Sequence, residues 1–155
     1  MERTLKDAVV HAPIIALDLG EKRVGVAVSD ALSISITRLG ALPRTNWKQL
    51  VRDVVHLIER FDAKTVVIGL PLSLDGAIGD AATQCRNSAY KFAQTLSLPV
   101  YLQDERLSSV EAEENLIASG HNRNEMTGLV DSEAAAVILR DFLQPSQERI
   151  LVVPN

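Results

Sequence analysis

Three carboxylates in this chain stand in places that a purely structural sequence would fill differently. Asp18 interrupts the run Ile14-Ile15-Ala16-Leu17-Asp18-Leu19. Such a continuous apolar run forms a strand buried on both faces. A carboxylate there needs a partner, a metal ion or a raised pKa. The plainer alternative is a strand-end acid bonded to the amides of the turn at Gly20. Glu105 follows a second apolar segment, Val100 to Gln103, at the carboxyl end of a strand, where sites gather in open α/β sheets. Its alternatives are a pair with Arg106 or a charge favouring the next helix's N-terminus. Asp131 shares a helical face with Ala134, Ala135, Ile138 and Phe142, which aims it toward the sheet. Its alternative is an N-cap for the last helix. Three inward-leaning carboxylates suit a hard cation such as Mg²⁺, which takes oxygen ligands and keeps several waters. His11, His56 and His121 are scattered, and there is no HExxH or paired-Cys pattern, so zinc is not expected. His56 reads as structural. His121 reads as a surface residue or a phosphate contact.

The elements that must position these acids follow from pattern. The 155 residues make one domain by length. A hydrophobic fraction of 46% excludes a disordered chain, and an aromatic fraction of 4% makes the core aliphatic. Cys85 is the one cysteine, which rules out an internal disulfide and a Cys-based metal site. No stretch approaches the ~20 apolar residues that cross a bilayer, and Met1 to Pro13 lacks the apolar core of a secretory signal. A cytoplasmic location without a membrane partner is expected. The net charge of −4 disfavours a basic nucleic-acid coat protein. The charge is uneven, with ten basic against eight acidic residues in 1–72 and six against twelve in 73–155.

Residues 1–13 read as an N-terminal extension. Ile14 to Leu19, Val24 to Val28 and residues 33–42 read as three strands, the first two joined by the turn Gly20-Glu21-Lys22-Arg23. Trp47, Leu50, Val51, Val54, Val55 and Ile58 then follow helical spacing, with Asn46 as N-cap and Gln49 three residues on. Thr65 to Gly69 is a strand, Leu70 to Asp80 a loop, Ala81 to Ser97 a helix and Val100 to Gln103 a strand. Ser108 and Glu111 open a helix that stops at Gly120. Residues 121–130 read as a mobile polar loop with Arg123 as its cation. Residues 131–143 form the last helix, and 144–155 a tail with a small strand at Ile150 to Val153. The order βββ-α-β-α-β-α-α implies an α/β fold, a mixed five-stranded sheet with helices on both faces. The single domain spans 14–143.

Four segments in order also resemble the YqgF/RuvX family. They are Ile15-Ala16-Leu17-Asp18-Leu19-Gly20 through Gly25-Val26-Ala27-Val28-Ser29-Asp30; Ile68-Gly69-Leu70-Pro71-Leu72 with Asp75-Gly76; Asp104-Glu105-Arg106-Leu107-Ser108 leading to Glu111-Ala112; and Val130-Asp131-Ser132 before an Ala-rich helix. The resemblance covers about residues 14 to 143. It implies a ribonuclease H-like fold akin to the RuvC Holliday-junction resolvases. It implies a nuclease that processes the 5′ end of pre-16S rRNA, or one that resolves branched DNA. The family's catalytic acids fall on Asp18, Glu105 and Asp131. Two features depart from the family. The stretch Asn122 to Leu129, often basic there, holds one Arg and one Glu here. The Gly76-to-Phe92 spacing is about one helical turn longer.

The chemistry this implies is metal-dependent phosphodiester hydrolysis with Mg²⁺ or Mn²⁺. Two ions ~4 Å apart would activate a water and stabilise the leaving oxygen, with Asp18 bridging both and Glu105 and Asp131 holding one each. Lys22, Arg23, Arg106 and Arg123 are the candidate phosphate contacts. Two other classes compete. Asp18-Leu19-Gly20 resembles the first phosphate loop of two-domain ATPases, but this chain has one domain and no second phosphate loop. A non-catalytic nucleic-acid-binding module would keep the fold without the chemistry. Both monomer and homodimer are open, since only a junction resolvase requires a twofold.

Overall fold

The computed structural model describes residues 1–6, 8–71, 79–105, 123–144 and 148–154, with the side chains of 123–131 outside that description. Seven strands form one sheet in the order β1-β7-β6-β5-β2-β3-β4. These are β1 (Glu2–Leu5), β2 (Ile14–Leu19), β3 (Arg23–Ser29), β4 (Ile36–Pro43), β5 (Thr65–Leu70), β6 (Val100–Asp104) and β7 (Arg149–Val152). The described helices are α1 (Trp47–Phe61), α2 (Asp80–Thr95) and α3 (Arg123–Phe142). The expected helix from Ser108 to Gly120 lies outside the described residues.

The central strands β2, β5 and β6 run parallel, and β3 and β4 extend the sheet antiparallel from β2. This is the expected mixed sheet with helices on both faces. Its strand count is seven, not five. The two extra strands, β1 and β7, come from the segments read as extension and tail, and pair antiparallel with each other from Glu2↔Val152 to Leu5↔Arg149. The sequence Glu-Arg-Thr-Leu has little apolar alternation because β1 is an edge strand. Its ladder is supplied by β7, which pairs in turn with β6 at Tyr101 and Leu102.

The period of two along each strand divides the core into two halves. Ile15, Leu17, Val66, Ile68, Val100 and Leu102 face α1 and α2, where they meet Leu50, Val54, Leu57, Ala89 and Phe92. Ile14, Ala16, Ala27, Val67 and Tyr101 face α3, where they meet Ala135, Ile138, Leu139 and Phe142. α1 starts as its sequence dictates, with the Asn46 side chain accepting from the Gln49 amide at 2.9 Å. It stops at Asp62, whose left-handed φ of 52° ends the helical turn.

α3 departs from expectation. It begins at Arg123, so residues 123–130 are helix rather than loop, and Asp131 lies about two turns inside the helix instead of capping it. Good helix formers in this stretch, Glu125, Met126 and Leu129, carry the helix through Gly128, which costs only about 1 kcal/mol against alanine. The following residues, Ser132 to Leu139, are all buried, and that packing anchors the element.

Candidate active site

Strand alternation carries three positions onto the α3 side of the sheet at one end of it. Asp18 follows Ile14 and Ala16. Gly69 follows Val67. Glu105 follows Tyr101 and Gln103. Register aligns them, because Leu17 pairs with Ile68, and Gly69 pairs with Gln103. The Glu105 amide continues the ladder by donating to the Leu70 carbonyl at 3.1 Å. Strands lie about 4.8 Å apart, so β2 and β6 are separated by one strand, and the position between them is a glycine.

That glycine is required. A Cβ on Gly69 would stand 2.5 Å from Glu105 Oε2 and 2.8 Å from its Cδ, and would also clash with the Ile138 Cδ1 of α3. The Glu105 carboxylate therefore lies over the middle strand, on the Asp18 side of its own. Across the hairpin, Asp18 pairs with Gly25 of β3. Asp18 is thus flanked by glycine on both neighbouring strands. Both acids are half-buried. The turn after Asp18 is tight as well. Gly20 donates to the Asp18 carbonyl at 3.0 Å, and a Cβ at Gly20 would meet the Arg23 carbonyl oxygen at 2.7 Å.

Asp131 is on α3, the helix packed over this face, and its side chain lies outside the described residues. The two residues after it fix the helix to β4. Ser132 Oγ donates to the Leu39 carbonyl, and Glu133 pairs with Arg38 at 2.7 Å. Among the described residues no three His, Cys, Asp or Glu side chains gather as a metal site. Asp18 and Glu105 are the two candidate carboxylates whose side chains are described.

Of the candidate phosphate contacts, Lys22 is exposed in the β2–β3 turn and Arg23 opens β3, half-buried. Arg123 opens α3, and Arg106 lies outside the described residues. Sequence reasoning missed Arg44, just past β4. Its guanidinium donates to the Gly20 carbonyl at 2.7 Å and to Ser88 Oγ at 3.3 Å, and its amide donates to the Lys22 carbonyl at 3.0 Å. It clasps the turn beside Asp18 to α2. No local motif announces it, since its role depends on two elements distant in sequence.

Cys85 of α2 reports on the same region. Its thiol donates to the Gly69 carbonyl at 3.0 Å. Burial, then the charges of Glu105 and Asp18, push the thiol up to about 12, against an opposing pull from Arg44. Cys85 is thus a neutral donor that fixes the strand under Glu105. The remaining donors are hard carboxylate oxygens over a strand without a side chain, a set that fits Mg²⁺ or Mn²⁺.

A family model described as RuvX, Holliday junction resolvase, matches residues 12–145. The chain belongs to the RuvX family. Relatives include a protein of Gloeothece citriformis, 41% identical over 138 residues, covering 89% of this chain and 91% of that protein. Another, from Syntrophus aciditrophicus, is 38% identical over 138 residues, covering 88% and 92%. Both carry the name "Putative pre-16S rRNA nuclease". Among solved structures, T. thermophilus RuvC in complex with Holliday junction substrate superposes with a TM-score of 0.52 at 14% identity, over 89% of this chain and 99% of that one. This likeness shows the expected RuvC-like, ribonuclease H-like fold. No described helix is long and apolar enough to cross a membrane.

Proposed function

We propose that this RuvX-family chain is a divalent-metal-dependent endonuclease that hydrolyses phosphodiester bonds of structured nucleic acid. We assign its substrate as the 5′ end of pre-16S rRNA, processed in the cytoplasm during ribosome biogenesis. The observation that carries the reading is the placement of the Glu105 carboxylate over Gly69, toward Asp18, at the carboxyl ends of parallel strands. The names of the relatives support the rRNA substrate.

In this reading Asp18, Glu105 and Asp131 hold Mg²⁺ or Mn²⁺, and the 1–13 and 144–155 segments flank the catalytic domain. A bound divalent ion would polarise a phosphoryl oxygen and lower the pKa of a water at the scissile phosphorus. The chain's own residues supply position and charge. Gly69 leaves room for the Glu105 carboxylate, Cys85 and Arg44 hold the strand and turn, and α3 packs over this face. Lys22, Arg23, Arg106 and Arg123 neutralise substrate phosphates around an otherwise acidic site.

The description of the family as Holliday junction resolvases supports one second reading, cleavage of branched DNA. The test incubates the purified chain with a pre-16S 5′ fragment and with a four-way DNA junction, each with Mg²⁺, Mn²⁺ or EDTA. Metal-dependent cleavage of the rRNA, abolished by EDTA and by Asp18→Asn, is the expected result. Cleavage of the junction alone selects the second reading. Cleavage of neither, at any metal concentration, overturns the nuclease assignment and leaves a binding module.

A further inference from the structure

Beyond the Gly20 turn, on the α1 and α2 side of the sheet and so opposite the face that carries the two acids, a polar cavity of about 270 Å³ opens to solvent. Its walls include Glu21, Arg44, Asn46, Trp47, Ser88 and Lys91. The volume holds several waters at about 30 Å³ each, and so a hydrated phosphate group. Two of its walls are cationic and one anionic. The Lys91 ammonium lies 5.4 Å from the Trp47 ring centroid, and Trp47 is held from behind by Phe92, ring centroids 4.6 Å apart. The same Arg44 that lines the cavity also donates to the Gly20 carbonyl, two residues past Asp18.

We propose that this cavity is a subsite for a backbone phosphate of the bound nucleic acid, away from the scissile one, held by Lys91 and Arg44 beside the Trp47 ring. The inference rests on the nucleic-acid reading above and adds a contact surface outside the acids. Arg44 is already half-buried and tied by two hydrogen bonds to protein, so its charge is preorganised. Lys91 is exposed and gives up only its surface contact with the Trp47 ring to reach a phosphodiester. Movement of Lys91 from the Trp47 ring to the phosphate frees that ring face for the sugar or base of the same nucleotide, as in the stacking platforms of single-strand binders. Glu21 opposes the anion from the rim, which makes its removal informative.

Trp47 is the chain's one tryptophan, so its emission reads occupancy directly. Metal-free protein is titrated with a fluorescein-labelled single-stranded oligonucleotide and a labelled four-way junction, following probe anisotropy for binding and, with unlabelled nucleic acid, Trp47 emission for the cavity. The expected result is an emission change that tracks the anisotropy isotherm. Lys91→Gln should weaken binding several-fold at low salt and lower the slope of log affinity against log salt by about 1. Glu21→Gln should tighten binding. Both positions are exposed, and circular dichroism checks that both variants fold. Binding with silent Trp47 emission and an unchanged salt slope in Lys91→Gln overturns the subsite and leaves the nuclease reading standing. Absence of any binding overturns both. Binding with the expected emission change but no hydrolysis upholds the subsite and removes only the catalytic assignment.

Discussion

The Glu105 carboxylate occupies the space that a side chain at Gly69 would need, with Oε2 2.5 Å from where a Cβ would stand. This relationship brings an acid from β6 over β5 and toward β2. It turns three parallel strands into one site, because the middle strand contributes an absence of side chain.

Gly69→Ala should therefore injure the site more than the fold. The new methyl meets two groups, the Ile138 Cδ1 and the Glu105 carboxyl. Ile138 is fully buried and moves only by repacking its neighbours, whereas Glu105 is half-buried and has more room to yield. Overpacking of this kind costs about 1–3 kcal/mol. Urea denaturation should show that loss, and the metal-dependent cleavage rate should fall further than stability accounts for. Wild-type stability and rate together in this variant would mean that the Glu105 position is unimportant.

Asp18→Asn should abolish hydrolysis while leaving the fold intact. Loss of an outer contact to a metal ligand already costs 10–100-fold, so loss of a ligand should cost about a hundredfold or more. Stability should stay level or rise. Asp18 and Glu105 both push the Cys85 thiol upward against the pull of Arg44, and removing one of the two negative charges relieves that local excess. A lowered melting temperature in Asp18→Asn would instead make Asp18 a structural strand-end acid.

Much of this was readable from sequence, and the rest fails for identifiable reasons. The apolar runs at Ile14 to Leu19, Thr65 to Gly69 and Val100 to Gln103 announce buried strands because both faces are covered. Asn46 announces α1 because its cap is local. Asp18 and Glu105 stand out because a carboxylate in or just after such a run is costly without a purpose. Gly25, Gly69 and Arg44 do not stand out. Their roles exist only through strand register and through contacts to elements far along the chain. β1 is hard to recognise in sequence because an exposed edge strand shows no clear alternation. The first two turns of α3 look like a loop in sequence because Gly128 and the polar residues around it hide a helix whose anchorage lies downstream, in the buried stretch from Ser132 to Leu139.

The Arg38–Glu133 pair should matter to that anchorage. Glu133 is buried, and its carboxylate meets the Arg38 guanidinium at 2.7 Å. Arg38 is partly exposed, 47% by side chain, so solvent screens the pair and Arg38→Met should cost only about 1–2 kcal/mol. A double-mutant cycle with Glu133→Gln should return a coupling of at least about 0.5 kcal/mol. Because Glu133 lies two residues after Asp131, cleavage should slow in both single variants. Additive effects on stability and unaltered rates would show that the pair is incidental.

Cys85 gives a prediction with a definite sign in pH. Its thiol is raised from an ordinary 9.0 to about 12 in the folded protein, so the folded state holds a proton that the unfolded chain releases above pH 9. The stability from this neutral, hydrogen-bonded thiol is fully present below pH 9. It is lost as the pH climbs from 9 toward 12, at roughly 1.4 kcal/mol per unit. Other groups titrate in the same range, so the measurement compares wild type with Cys85→Ala by urea denaturation at pH 8 and pH 10.5 in EDTA. Cys85→Ala should be the less stable at pH 8, having lost a buried donor to the Gly69 carbonyl. The gap between the two proteins should shrink by about 2 kcal/mol at pH 10.5, because only the wild type carries the thiol's proton linkage. Iodoacetamide should leave the native thiol unmodified at pH 8, since the reactive thiolate is scarce and the side chain is 5% exposed. A gap that stays constant with pH, together with ready alkylation of the native protein, would show that the thiol is neither buried under Gly69 nor held neutral by the two acids.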